Sequence, residues 1–529
     1  MSTHTWYENA VFYHIYPLGL TGAPRQNDYG EPVHRLRELW PWIRHIRDLG
    51  CSALYIGPLF QSVGHGYETT DYRCVDSRLG TNEDLAEFVR ECHKTGIRVI
   101  LDAVFNHTGR DFFAYRDLRE HREQSRFRDW YCNVNFCGDN GFHDGFSCEN
   151  WGGYDLLAKL NLRNWEVRDY HLETVRFWME AFGIDGLRLD AADVLDFDFM
   201  RTLRGMTRDL APDFFLLGEV IHGDYVRWAN GDMLHAVTNY HLHKAFYSAH
   251  NDRNYFEIAH TVRRQIDSGM AEGGKLYNFL DNHDVERIAT RLRNPQHLLP
   301  VLILLYALPG IPSIYYGSEF GIQGKKERWN DDSLRPCLDL HSLLQEENPV
   351  LPVVRALGGI YNRESALRYG GYRELSLTNT TYAFARGDVL ITVNCGDEPA
   401  FFDLTAEGSF RGALMGGRAA NQNGKVHIQL PANSGEIWIP DTVGREYRQQ
   451  ITPIPQPKKH RTSEKTKRND ADLQPQLSGK SYEEMDIQEL QAAILQKLAA
   501  NGPVTDRMRR EVSENVYRNS LLNWVRSFR

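Results

Sequence analysis

An α/β chain built around a (β/α)8 barrel is predicted by three observations. Short apolar runs alternate with amphipathic helical stretches from the start of the chain, eight such runs fall before residue 350, and four of them end in polar residues suited to catalysis. Those endings are Asp102 to His107, Arg188 to Asp190, Gly218-Glu219 and Asp281 to Asp284. In a parallel barrel the C-terminal ends of the strands open onto one mouth, so residues far apart in sequence would meet there.

Taken in order, the first strand is read at residues 10–16, an amphipathic helix at 36–49 and a second strand at 52–56. Asn82, placed before Glu83-Asp84-Leu85, offers a cap and N-terminal acids to a helix that should stop at Gly96. The third strand runs into Asp102-Ala103-Val104-Phe105-Asn106-His107, and the others fall at 184–190, 214–219, 236–240, 277–281 and 313–317. Residues 108–160 are too long for an ordinary connection and are rich in Phe, Trp, Gly and Asp, which predicts a small excursion domain after strand 3, over the barrel mouth. The barrel is thus assigned to 1–107 and 161–350. Residues 351–448 carry short alternating segments separated by Gly, Asn and Asp, the pattern of a C-terminal antiparallel β-domain. Residues 449–480, with Pro453, Pro455 and Pro457 and a basic run, read as a flexible linker. Ile487, Leu490, Ile494 and Leu498 begin a helical C-terminal tail over 481–529, with a second stripe at Met508, Val512, Val516 and Val525.

Length and charge narrow the function. At 529 residues the chain exceeds the roughly 250–300 at which a single core stops growing, so several domains are expected. A net charge of -9 argues against a nucleic-acid partner, and 12% aromatic residues provide rings for stacking on flat or sugar ligands. With neither a signal-like N-terminus nor an apolar run long enough to span a bilayer, a cytoplasmic protein with no membrane partner is expected. Eight scattered cysteines agree with a reducing compartment. Cys132, Cys137, His143 and Cys148 lack the paired second motif of a zinc site, so no metal is assigned to them.

Asp190, Glu219 and Asp284 form the candidate carboxylate cluster. Cleaving a glycosidic bond needs one carboxyl that gives a proton to the leaving oxygen and another that is ionised to attack or stabilise the anomeric carbon. Arg188, two positions before Asp190 and so on the same face of its strand, should keep Asp190 ionised. Glu219 follows four apolar residues and a glycine, where partial desolvation would favour its protonated form. His107 and His283 are neutral donors suited to sugar hydroxyls.

With these motifs in hand, the chain resembles the α-amylase family of retaining glycoside hydrolases, glycoside hydrolase family 13, over roughly residues 6–440. The resemblance rests on Asp102 to His107, Gly186 to Asp190, Gly218-Glu219-Val220, Asn282-His283-Asp284 and Gly66-Tyr67-Glu68-Thr69-Thr70-Asp71-Tyr72, in the family's order. It implies Asp190 as nucleophile, Glu219 as acid/base and Asp284 as the carboxylate that holds the reacting sugar's hydroxyls. It also implies that Arg188, His107 and His283 line the same subsite, with Tyr67 stacking under the sugar. Leu157-Ala158-Lys159-Leu160-Asn161 and Glu219-Val220-Ile221-His222 are similar to stretches of the cyclomaltodextrinases, neopullulanases and maltogenic amylases. Short maltooligosaccharides and cyclodextrins are therefore the expected oligosaccharide substrates, with hydrolysis accompanied by transglycosylation. Asp193 and His222 are further substrate-binding candidates. Asp193-Val194 stands where starch-cutting members have Lys-His, and the family's calcium site pairs that His with an Asn like Asn106. No cofactor is expected, with calcium the one candidate that Asn106 keeps open. The subgroup normally carries an N-terminal dimerisation domain, whereas the first strand here begins by Ala10, so the helical tail is a candidate interface for a homo-oligomer. Two other readings stay open: an exo-acting α-glucosidase or sucrose-type transglucosylase, and a non-catalytic amylase-like scaffold or transporter partner.

Overall fold

Eight parallel strands close on themselves in strictly sequential order, forming a TIM barrel. They are β1 (Phe12–Ile15), β2 (Ala53–Ile56), β3 (Arg98–Ala103), β4 (Gly186–Leu189), β5 (Phe215–Gly218), β6 (Ala236–Thr238), β7 (Leu276–Phe279) and β8 (Ile311–Tyr315). The ring is sealed where β1 pairs with β8, Phe12 opposite Ser313. The computed structural model describes residues 4–327, 331–441 and 487–500. The chain divides into two compact units, residues 1–456 and 457–529. The expected linker at 449–480 and the second helical stripe at 508–525 lie outside the described residues, which include the helix Ile487–Ala500.

Alternation along each strand decides what the barrel holds. Phe12, Ala53, Ile100, Phe215, Leu217 and Tyr277 point inward and pack as one apolar plug, while Tyr13, Ile15, Leu54, Leu101 and Leu187 point outward into the helical layer. Burying a side chain such as Phe215 stabilises the fold by about 1.5–3 kcal/mol. One further step along the inward faces, towards the strand C-termini, the residues become polar: His14, Tyr55, Asp102, Arg188 and Glu219. The register puts Asp102 of β3 directly opposite Arg188 of β4.

The helices follow from local signals. The helix Asn82–Lys94 starts with a reciprocal capping box in which Thr81 takes the Asp84 amide and Asp84 takes that of Thr81. The cap is thus Thr81 rather than Asn82, whose side-chain oxygen instead accepts from the Val75 amide. Gly96 follows the helix at φ +80°. The connection after β3 contains the helix Phe113–His121 and a small sheet in which Tyr154–Lys159 pairs with His107–Thr108 and with Asn150–Trp151.

Residues 351–369, assigned to the C-terminal β-domain from sequence, hold the helices Leu351–Arg363 and Ser365–Tyr369, the first of which packs against the helix Leu298–Ala307. Gly358 is what brings that first helix close to Leu49: a Cβ there would lie 1.9 Å from the carbonyl oxygen of Leu49. The antiparallel pairing of the C-terminal domain begins at Tyr372. From there a six-stranded and a three-stranded sheet pack face to face over Phe402, Leu404, Ile428 and Trp438, ending at Ser434–Pro440.

Candidate active site

Arg188 organises the mouth of the barrel. Its Nη1 donates to Oδ1 of Asp102 and to Oδ1 of Asp190, both at 2.8 Å, and its Nη2 lies 2.9 Å from Oε2 of Glu219. One guanidinium at the centre of the mouth, its side chain 3% exposed, therefore serves carboxylates from three adjacent strands. Asp102 is in turn held by hydroxyl donors to Oδ2, Tyr55 at 2.8 Å and Tyr67 at 3.0 Å.

The turn after β4 shapes the Asp190 side of the mouth. Ala191 adopts a left-handed conformation, φ 46° and ψ 43°, which costs a non-glycine residue about 1–2 kcal/mol. The conformation aims its amide N–H at Oε2 of Glu219, 3.1 Å away. Oε2 thus receives both the cation and a backbone donor, while Oε1 receives the Tyr240 hydroxyl at 3.1 Å.

Electrostatics act on Asp190 in opposing directions. Burial pushes the Asp190 carboxyl well above the ordinary aspartate range; Arg188 pulls it down, and Glu219, Asp102 and Asp284 add to the rise. The charge of Arg188 is shared among three buried carboxylates. Asp284 differs. Burial would raise it, but His283, Arg335 and Arg188 outweigh that and hold its carboxyl well below the usual range. His283 Nε2 is 3.0 Å from Oδ2 of Asp284, and Arg335 Nη2 donates to Oδ1 at 3.0 Å.

The remaining candidates sort by position. Tyr67 meets His283 through its hydroxyl, and the two rings lie parallel with centroids 5.5 Å apart. His107 is buried and stays neutral, pushed down to about 3 by burial and by His65, and its Nε2 has no partner among the described residues. The exposed ring of Trp151, from the excursion, leans over it at 6.0 Å. Asp193 and His222 stand apart from the guanidinium. The Asp193 amide donates to the Glu219 carbonyl at 3.3 Å, and burial followed by Glu219 raises its carboxyl, which His222 opposes from an exposed position.

Tyr55, Tyr240 and Arg335 are not among the candidates the sequence marks, and Asn282 enters there only within Asn282-His283-Asp284. Tyr55 alternates with Ala53 on the inward face of β2, a signal that places it beside Asp102. Arg335 packs over the Tyr16 ring at 4.7 Å from a stretch with no periodicity to mark it.

Asn106, the residue on which the calcium expectation turns, is buried beside the mouth, and its side-chain Nδ2 engages Nδ1 of His107 at 3.2 Å.

A barrel mouth with carboxylates grouped around one arginine is the architecture of a glycoside hydrolase. Comparison with known proteins narrows this: residues 39–342 match the alpha-amylase catalytic domain. Neopullulanase 2 of Thermoactinomyces vulgaris is 30% identical over 475 residues, 84% of this chain and 75% of that protein. The intracellular maltogenic amylase of Bacillus subtilis is 30% identical over 397 residues, 70% of this chain and 65% of that protein. A solved cyclomaltodextrinase structure superposes with a TM-score of 0.74 at 26% identity, over 82% of this chain and 78% of its own. The chain belongs to the α-amylase family of glycoside hydrolases, family 13.

Proposed function

We propose that the protein hydrolyses α-1,4-glucosidic bonds in short maltooligosaccharides and cyclodextrins with retention of configuration, and transfers glycosyl units when an acceptor arrives before water. The observation that carries the reading is the single guanidinium joining Asp190 and Glu219 at 2.8 and 2.9 Å. Glu219 gives its proton to the glycosidic oxygen, which leaves as a hydroxyl, while Asp190 bonds to the anomeric carbon. Glu219, now a carboxylate, takes a proton from water or an acceptor hydroxyl, whose oxygen displaces Asp190. Asp284, His283, His107 and Tyr67 bind the sugar, with Asp193 and His222 on the rim. The names of the relatives support the substrate class, and the intracellular designation of the maltogenic amylase supports a cytoplasmic location. Among the described residues no helix is long and apolar enough to cross a membrane.

Incubation with γ-cyclodextrin, maltotriose, pullulan, sucrose and starch, beside Asp190→Asn, tests this. Rapid cyclodextrin opening, slow starch cleavage and an inactive variant are expected. The exo-acting α-glucosidase reading draws on Arg335, which walls the site beside Asp284; glucose alone from maltotriose, with cyclodextrin untouched, would decide for it.

A further inference from the structure

Tyr240 begins the helix Tyr240–Asn251 that follows β6, and its hydroxyl lies between two partners. It is 3.1 Å from Oε1 of Glu219 and 3.2 Å from Nδ2 of Asn282. The Asn282 amide cannot be turned around. Its Oδ1 accepts the backbone N–H groups of Asp284 at 2.8 Å and Val285 at 3.1 Å, which leaves Nδ2 facing Tyr240 as a donor. The Tyr240 oxygen therefore accepts from Asn282, and its one proton is directed at Glu219. On the far side of the Glu219 carboxyl, Oε2 already receives Arg188 and the Ala191 N–H, so a proton gained by Glu219 goes to Oε1, beside Tyr240.

We propose that Tyr240 is a positioning residue for the acid/base step: locked by Asn282, its hydroxyl fixes Oε1 of Glu219 and sets the pH at which that carboxyl surrenders its proton. The inference rests on Glu219 being the acid/base. A donor that persists across the working range favours the carboxylate over the acid. Tyr240 remains such a donor, because burial, with Glu219 and Asp284 adding to it, pushes its phenol well above the ordinary range. The other charged groups facing this pair are Arg188 on β4, Asp190 and Asp193 just after it, and Asp284 after β7. None of them is changed by removing one phenolic oxygen.

The test is the pH profile of kcat/KM on maltotriose for the wild type, Tyr240→Phe, and a protein with 3-fluorotyrosine at position 240, whose phenol is the stronger donor. Wild type on an aryl maltoside with a good leaving group provides the control, since that substrate needs no proton to depart. Loss of the alkaline limb on that substrate, with the limb present on maltotriose, assigns the limb to Glu219; its persistence would overturn the acid/base reading itself. With the limb assigned, Tyr240→Phe should move it upward by about one pH unit, with the acid limb unmoved and KM within about twofold. Fluorotyrosine should move it downward. Coincident limbs, or both variants moving in the same direction as a purely structural role would give, overturn the proposal. If Tyr240→Phe does not fold, the fluorotyrosine protein decides by itself, with a downward shift supporting the proposal and an unchanged or upward limb overturning it.

Discussion

Replacing Arg188 with Met keeps most of the side-chain volume and removes the only cation, among the described residues, in contact with Asp102, Asp190 and Glu219 at 2.8, 2.8 and 2.9 Å. Their side chains are 0%, 10% and 9% exposed, so water cannot take its place. Removing one partner from a buried charge network costs about 3–5 kcal/mol. Unfolding entropy near 2.1 cal/mol/K per residue, applied to the unit spanning residues 1–456, converts this to a fall in Tm of about 3–5 °C. The sign with pH follows from Asp190, which already sits above its ordinary value and would rise further without Arg188. A carboxyl raised in the folded state contributes stability below its unfolded value and loses it as pH rises through the folded one. The deficit of the variant should therefore be largest at neutral and alkaline pH and shrink on acidification. Differential scanning fluorimetry across pH reads this directly, and kcat/KM should fall by about a thousandfold or more as the charge-stabilising group is lost. A Tm within about 1 °C of wild type, or a deficit that grows on acidification, would refute the reasoning.

Further expectations follow from single residues. Glu436 is buried in the C-terminal sheet, where desolvation outweighs the backbone donors of Leu414, Met415 and Ile437 and raises its carboxyl to about 7. Stability should thus be lost, by up to about 3 kcal/mol, as pH rises from its unfolded value to about 7; Glu436→Gln should flatten that part of the Tm profile, and parallel profiles would count against it. Ala191→Gly relieves the left-handed strain and should raise stability by about 1 kcal/mol in a denaturant titration, whereas Ala191→Val should lower both stability and activity. EDTA should leave Tm within about 1 °C, since a bound calcium would add stability by mass action that chelation would remove.

The alternation of short apolar runs with amphipathic stretches was sufficient to place all eight barrel strands, because each inward face must be filled and each outward face must meet a helix. The polar strand ends were equally legible: apolar packing explains Leu187 and Leu189 but not Arg188 between them. What escaped were residues whose role depends on the third dimension. Tyr55 looks like any strand aromatic until the register sets β2 beside Asp102. Tyr240 reads as the end of a strand but begins a helix capped by Asn239, which turns its hydroxyl towards Glu219. Gly358, a point of close approach to Leu49, is likewise recognisable only once the fold brings the two together.

The seam between β1 and β8 has a consequence for how the chain reaches this state. Phe12 cannot find Ser313 until some three hundred residues have left the ribosome, so the first strand must wait with an unpaired edge. Closing a ring over that separation is slow, since the entropy of the loop is lost before any contact rewards it. During that wait the apolar edge around Val11 and Phe12 is exposed to other chains. The yield of active protein is therefore expected to depend on temperature and chaperone supply during synthesis more steeply than the stability of the finished barrel would suggest.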